Sequence, residues 1–305
     1  GVSGCGKSSL VKSILYPALQ NELGIYENKP GEFNKIDGDL AKIDFVEFIN
    51  QNPIGRSSRS NPVTYIKAYD DIRALFSSHK LSIQRSYKPK HFSFNVDGGR
   101  CDKCKGDGEI TIEMQFMADV HLVCDQCKGS RFKKEILDVK YLDKNIFDIL
   151  NMTINQALKF FELANELKIY KKLLPLKNVG LGYVKLGQSS STLSGGEAQR
   201  IKLAYFLGKA NNNKKGVFIF DEPTTGLHTD DIKKLLKSFN SLIDIGNTII
   251  IVEHNLELIK CSDYVIDLGP VGGDNGGYII AQGNPENLIN NNKSLTAKYL
   301  KEYLK

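Results

Sequence analysis

No run of this 305-residue sequence is apolar for long enough to cross a bilayer. The longest candidates, "VFIF" from Val217 and "TIIIV" from Thr248, are strand-sized, whereas a spanning helix needs about 20 residues. No secretory leader is visible either, and the chain is expected to work in the cytoplasm with no membrane partner. Cysteine is scarce, with six residues, four of them in two Cys-x-x-Cys pairs. Without a leader, that usage argues against a disulfide framework and for a metal. Neither sign of charge dominates. Lys and Arg number 41 against 35 Asp and Glu, and the net charge of +6 permits nucleic-acid contact without requiring it. An initiating Met is also absent. The chain opens on Gly1, inside a motif, and is expected to be a piece of a longer protein.

What is present is globular. An apolar content of 41% and a charged content of 25% are ordinary for a folded chain, and the length supports more than one domain. "GVSGCGKSSLVKSIL" fits G-x-x-x-x-G-K-[ST] from Gly1 to Ser8 and runs on with helical period. Glycines let backbone N–H groups close round phosphates, Lys7 can reach the β and γ phosphates, and Ser8 offers a hydroxyl to Mg²⁺. The candidate ATP-binding residues are therefore Gly1, Val2, Ser3, Gly4, Cys5, Gly6, Lys7, Ser8 and Ser9. The following helix adds its positive N-terminus.

"GVFIFDEPTTGLH" contains a short apolar run, Val217 to Phe220, of the kind buried on both faces of a parallel sheet. It ends in Asp221 and Glu222. We assign Asp221 to the Mg²⁺ shell and Glu222 to the base that deprotonates the attacking water. A second run, "NTIIIVEHN", puts His254 at a strand end, where it could bond the γ-phosphate. In "STLSGGEAQRIKLAYFL", Ser194 can cap a helix with Glu197 three residues on as a capping box, and Gly195 and Gly196 expose N–H groups at the helix start. These four residues form a second phosphate-binding surface. Of the remaining cysteines, Cys5 lies in the Gly-rich loop, and Cys261 reads as a small buried side chain.

"LSGGE", "FIFDEP" and "VEHN", in this order, resemble the signature, Walker B and switch-histidine motifs of ABC-type ATPases. The resemblance implies head-to-tail pairing, with each ATP held between the phosphate loop of one domain and the signature helix of another. It also implies that Gln51 in "FINQNPIGR" touches Mg²⁺ and the water, and that "TTGLHTD" is the D-loop region. One half-site of each kind is present here.

Cys101, Cys104, Cys124 and Cys127 follow C-x2-C-x19-C-x2-C, a donor set suited to structural Zn²⁺, with iron or redox thiols as the alternatives. Gly106 and Gly129, two residues after each second cysteine, suit a turn with positive φ. "CDKCKGDG" is also similar to the repeats of DnaJ-type chaperones, but those carry four repeats and no nucleotide motifs. "HFSFNVDGGRCDKC", "VCDQCKGSRF", "LGQSSSTLSGGEAQRIKLA" and "IVEHNLELIKCSDYVIDLGP" together closely resemble the UvrA family, the damage-recognition subunits of bacterial nucleotide excision repair, over essentially the whole chain. The match is to the C-terminal ATPase half. It implies binding of damaged double-stranded DNA, loading of UvrB through parts lying elsewhere, pairing with an N-terminal ATPase half, and a homodimer. An ATPase subunit of an ABC transporter and a UvrA-like paralogue of drug self-resistance are the alternatives.

Basic residues mixed with Tyr and Phe flank the cysteines, and "KGSRFKK" adds Lys128 and Lys134 beside the second knuckle. Arg56, Arg59, Lys88, Lys90, Arg131 and Lys133 are the candidate DNA contacts, reading phosphates and shape rather than sequence. The expected fold is α/β, an ABC-type P-loop ATPase domain with an inserted zinc-binding α+β module. ATPase core is expected over 1–80 and 176–305 and the insertion over 81–175. Its later part, "MTINQALKFFELANELKIYKKLL", has helical period, and "DLGPVGGDNGGYIIAQGNP" reads as a hairpin with Gly-rich turns.

Overall fold

The structure is a computed structural model and describes residues 1–55, 57, 59–112, 114, 119–209 and 214–303, with no statement made of the Asp274 side chain. The chain forms two compact units, Gly1–Gln51 with Ala210–Lys305, and Asn52–Lys209.

The first unit is built on three parallel strands in the order β1 (Phe45–Ile49), β4 (Gly216–Asp221), β5 (Thr248–Val252). β4 lies in the middle and is buried on both faces, which is why its sequence is continuously apolar. Side chains alternate across it. Val217 and Ile219 pack with Val11 and Leu19 on one face. Phe220 meets Phe239 of helix α6 (Thr229–Asp244) on the other, ring centroids 4.8 Å apart. The phosphate loop leads into Lys7–Ser9, a π-helical stretch Leu10–Leu15 and helix α1 (Tyr16–Glu22). Pro17 has no N–H to donate to the carbonyl four residues back, and Ser13 O instead accepts the Gly31 N–H at 2.9 Å. An antiparallel pair, β6 (Val265–Gly269) and β7 (Tyr278–Gly283), and helix α7 (Leu295–Tyr303) complete the unit around Ala281, Leu288, Ala297 and Leu300.

The second unit is mainly helical, with helices α2 (Tyr69–Ser77), α3 (Ile154–Leu163), α4 (Leu167–Asn178) and α5 (Gly195–Lys209). Phe76, Phe92, Phe94, Phe132 and Phe161 are fully buried in it. A short hairpin, β2 (Glu109–Ile112) and β3 (Val120–Val123), projects from it with almost every side chain exposed. The expected boundaries near 80 and 175 therefore fall inside this unit. Segments 52–80 and 176–209 belong to it because α5 packs on α4 and on the turn Pro62–Tyr65, and α2 packs on α4. Helix α5, which opens on the expected signature residues, is thus part of the cysteine-bearing unit. Cys261 is exposed rather than buried, since it sits just past the short helix Leu256–Ile259 in a turn.

Phe161→Ala removes a fully buried ring and should cost the second unit about 3–5 kcal/mol. Urea unfolding should show it as a lowered midpoint with an unchanged slope.

Candidate nucleotide and metal sites

Parallel register decides what meets at the strand ends. Ile49 pairs with Phe220 and Asp221 pairs with Val252, so the residues just beyond β1, β4 and β5 lie side by side. The carboxyl ends of parallel strands are where α/β sheets place ligands. Gln51 Nε2 donates to the Glu222 carbonyl at 3.2 Å. His254 Nε2 is 3.3 Å from Glu222 Oε1, a contact that requires the hydrogen on Nε2. Both side chains are still well exposed, at 39% and 47%. Glu222 has a φ of 46°, a left-handed conformation rare for a side chain of this size and a form of strain that collects at functional sites. Ser8 Oγ donates to Asp221 Oδ1 at 3.1 Å, so the two groups expected to hold Mg²⁺ converge.

Gly4 and Gly6 take φ values of 75° and 93°, as a phosphate loop requires. The Lys7 ammonium bends over the loop to the carbonyls of Gly1 and Val2, at 3.0 and 2.7 Å. A brace that the sequence reading passes over lies against this loop. Gly273 N–H donates to Gly4 O at 3.2 Å and Gly277 N–H to Cys5 O at 3.1 Å. A Cβ on Gly276 would lie 2.5 Å from Val271 O and 3.2 Å from the Cys5 Cα. Because a trans peptide points its C=O and N–H in opposite directions, holding these carbonyls turns the next N–H groups to the other side of the loop. The "GGDNGG" run carries the signal, but it reads as a hairpin turn until its contact is known.

In the second unit, Ser194 and Glu197 form the expected box. Glu197 N–H donates to Ser194 Oγ at 3.3 Å and Ser194 N–H to Glu197 Oε2 at 2.8 Å. Gly195 and Gly196 open helix α5. Burial works against the Glu197 charge, but the Tyr183 hydroxyl at 2.6 Å and the Ser194 N–H hold its carboxyl below the usual range. Tyr183 is a further residue at this helix start that the sequence alone does not mark.

The Sγ atoms of Cys101, Cys104, Cys124 and Cys127 lie within 4.8 Å of one another. Cys101 and Cys124 are 4.0 Å apart and Cys104 and Cys127 3.6 Å apart. Four thiolates held tetrahedrally at about 2.3 Å from one ion would be roughly 3.8 Å apart, so the donor set fits a closed metal site. Each knuckle turns through two successive left-handed residues, Lys105 and Gly106 in one and Lys128 and Gly129 in the other. Gly106 is obligatory, since a Cβ there would meet Phe94 O at 1.9 Å. Burial drives the Cys127 thiol up to about 12. At Cys124 burial is outweighed by the N–H groups of Cys127 and Gln126 and by the neighbouring thiols, bringing it down to about 7.

The candidate DNA residues fare unevenly. Lys88 and Lys90 are exposed. Arg59 lies 3.6 Å from Asp107 and donates to Lys105 O, while Lys133 pairs with Asp102 at 2.8 Å. Arg131 is half-buried with its guanidinium over the Phe94 ring, 5.5 Å from the centroid. Arg56 lies outside the described residues.

No family model matches the chain. It is 55% identical over 304 residues to UvrABC system protein A of Clostridium acetobutylicum, covering 100% of this chain and 32% of that protein. It is 53% identical over 304 residues to UvrABC system protein A of Staphylococcus aureus strain COL, with the same coverage. The crystal structure of UvrA2 from Deinococcus radiodurans superposes with a TM-score of 0.91 at 43% identity, over 100% of this chain and 36% of that one. The chain belongs to the UvrA family. It spans about a third of the length of the UvrA proteins it matches. Among the described residues no helix is long and apolar enough to cross a membrane.

The cysteine cluster should carry one metal ion per chain. Chelation should make the segment from Arg100 to Phe132 protease-sensitive while the strands of the first unit stay protected. Unchanged cleavage after metal removal would rule out a structural ion.

Proposed function

We propose that this UvrA-family chain is the ATP-hydrolysing part of a DNA-damage recognition subunit in nucleotide excision repair. The observation that carries the ATPase reading is the convergence of Ser8, Gln51, Asp221, Glu222 and His254 at the ends of three parallel strands. The repair reading is supported by the UvrABC system proteins A of Clostridium acetobutylicum and Staphylococcus aureus, matched over the whole of this chain, which disfavours a transporter subunit.

In this reading Lys7 and the N–H groups of Gly4 to Ser8 hold the phosphates, and Ser8, Gln51 and Asp221 hold Mg²⁺. The ion, when bound, polarises the phosphate oxygens and offsets their developing charge. Glu222 accepts the proton of the attacking water and His254 holds the terminal phosphate. The Glu222–His254 contact keeps both groups beside one reacting centre. Ser194 to Glu197 serve the ATP of an opposing domain. Zn²⁺ fits the four thiolates best, as a structural ion in the cysteine-bearing unit. Damaged duplex DNA, UvrB, an N-terminal ATPase half and a second copy are the proposed partners, in the cytoplasm. Lys88 and Lys90, like Lys128 and Lys134, are exposed and open to DNA. ATP-driven closure can change DNA affinity only through states that touch DNA differently.

Glu222→Gln should lower ATP turnover by roughly 10²–10⁴ with ATP binding retained. Near-normal turnover would remove the base assignment. The full-length protein should also prefer damaged over undamaged duplex at least about tenfold, in an ATP-dependent way, at fixed salt. Equal and salt-sensitive binding to both would leave only generic phosphate attraction.

A further inference from the structure

Glu253 directly precedes His254 and has no assigned role itself. Its carboxylate bridges two loops. Oε1 accepts the Thr224 N–H at 2.9 Å and the Thr224 hydroxyl at 2.5 Å. Oε2 accepts the N–H groups of His254 at 2.7 Å and Asn255 at 2.9 Å. One half of the group therefore anchors the loop after β4, where Thr224 is 8% exposed, and the other anchors the turn after β5. The Glu222 N–H bond to Val252 O at 2.9 Å and the His254–Glu222 contact at 3.3 Å join the same two loops.

From this geometry we infer that Glu253 is a positioning residue, a clamp that fixes His254 against Glu222. The inference rests on the proposed roles of those two residues. All four bonds to Glu253 come from donors, so only a group that accepts on both oxygens satisfies them. Gln at this position would keep the volume but aim its NH₂ at one pair of donors, releasing one loop. Asp, a methylene shorter, cannot span both. His254 follows directly on Glu253, so release of the turn moves the imidazole whose Nε2 lies 3.3 Å from Glu222. Displacement of a reacting group by about 1 Å can cost on the order of 10²-fold in rate. The phosphate loop, which makes most of the proposed contacts to ATP, is untouched, so affinity for ATP should hold to within about twofold even with the His254 contact weakened.

The test is single-turnover and steady-state ATP hydrolysis in the full-length protein. Glu253→Gln should lower kcat about 10–100-fold and change KM and ATP affinity by less than about twofold. Combined with His254→Ala it should add less than about twofold to the loss caused by His254→Ala alone, because residues acting as a unit are not additive. Thr224→Val, which removes only the hydroxyl bond, should lower kcat in the same direction by less. Multiplicative losses in the double variant, or a rise in KM matching the fall in kcat, would overturn the clamp. If Glu253→Gln does not fold, Thr224→Val decides, and an unchanged kcat there rejects the proposal. Normal hydrolysis in Glu222→Gln would instead reject the underlying reading. Loss in Glu222→Gln with normal rates in Glu253→Gln would reject the clamp alone.

Discussion

The register of three parallel strands is the constraint on which the first unit depends. Parallel pairing repeats its bonds evenly, so fixing Phe45 opposite Gly216 and Val217 opposite Thr248 fixes every later partner. A shift of one residue in β4 would turn Val217 and Ile219 from the α1 face to the α6 face. It would also carry Asp221 and Glu222 away from Ser8, Gln51 and His254. The packing of small and large apolar side chains on opposite faces of β4 is thus what sets the positions of the polar groups beyond its end.

Legibility in the sequence follows from how local each determinant is. β4 reads directly because burial on both faces demands an unbroken apolar run bounded by polar residues, and β5 carries the same kind of run although it is only half-buried. The cysteine cluster reads because metal ligands impose spacing within each pair. The helices over 154–163 and 167–178 read from their period. The unit boundaries do not, since segments 52–80 and 176–209 look like continuations of the ATPase motifs and are assigned only by packing across the chain. Glu253 and the Gly272–Gly277 brace escape for the same reason. Their partners, Thr224 and the phosphate loop, are far away in sequence, and neither residue type is unusual where it stands. Arg131 likewise has a packing partner that the sequence does not mark. It sits in a basic run but lies over Phe94.

The two chemical centres are built by different means. At the strand ends the geometry is held by hydrogen bonds to backbone and carboxylates, several on half-exposed groups, and Glu222 sits in a strained conformation. Such an arrangement can give way and reform. At the cysteine cluster three of the four side chains are buried and both knuckles are locked by paired left-handed residues. That arrangement has one geometry.

The interruption of the first unit by residues 52–209 has a consequence for the order of synthesis. The phosphate loop is made before the groups that bond it, since Asp221 and the Gly272–Gly277 turn follow more than 200 residues later. At about 5–20 residues per second that delay is on the order of 10–40 seconds. The cysteine-bearing unit is contiguous and complete well before then. The nascent chain therefore carries a finished second unit while β1 still lacks β4, the strand it pairs with. β1 and the phosphate-loop helix spend that interval without β4, whose Val217 and Ile219 pack with Val11 and Leu19 in the folded unit.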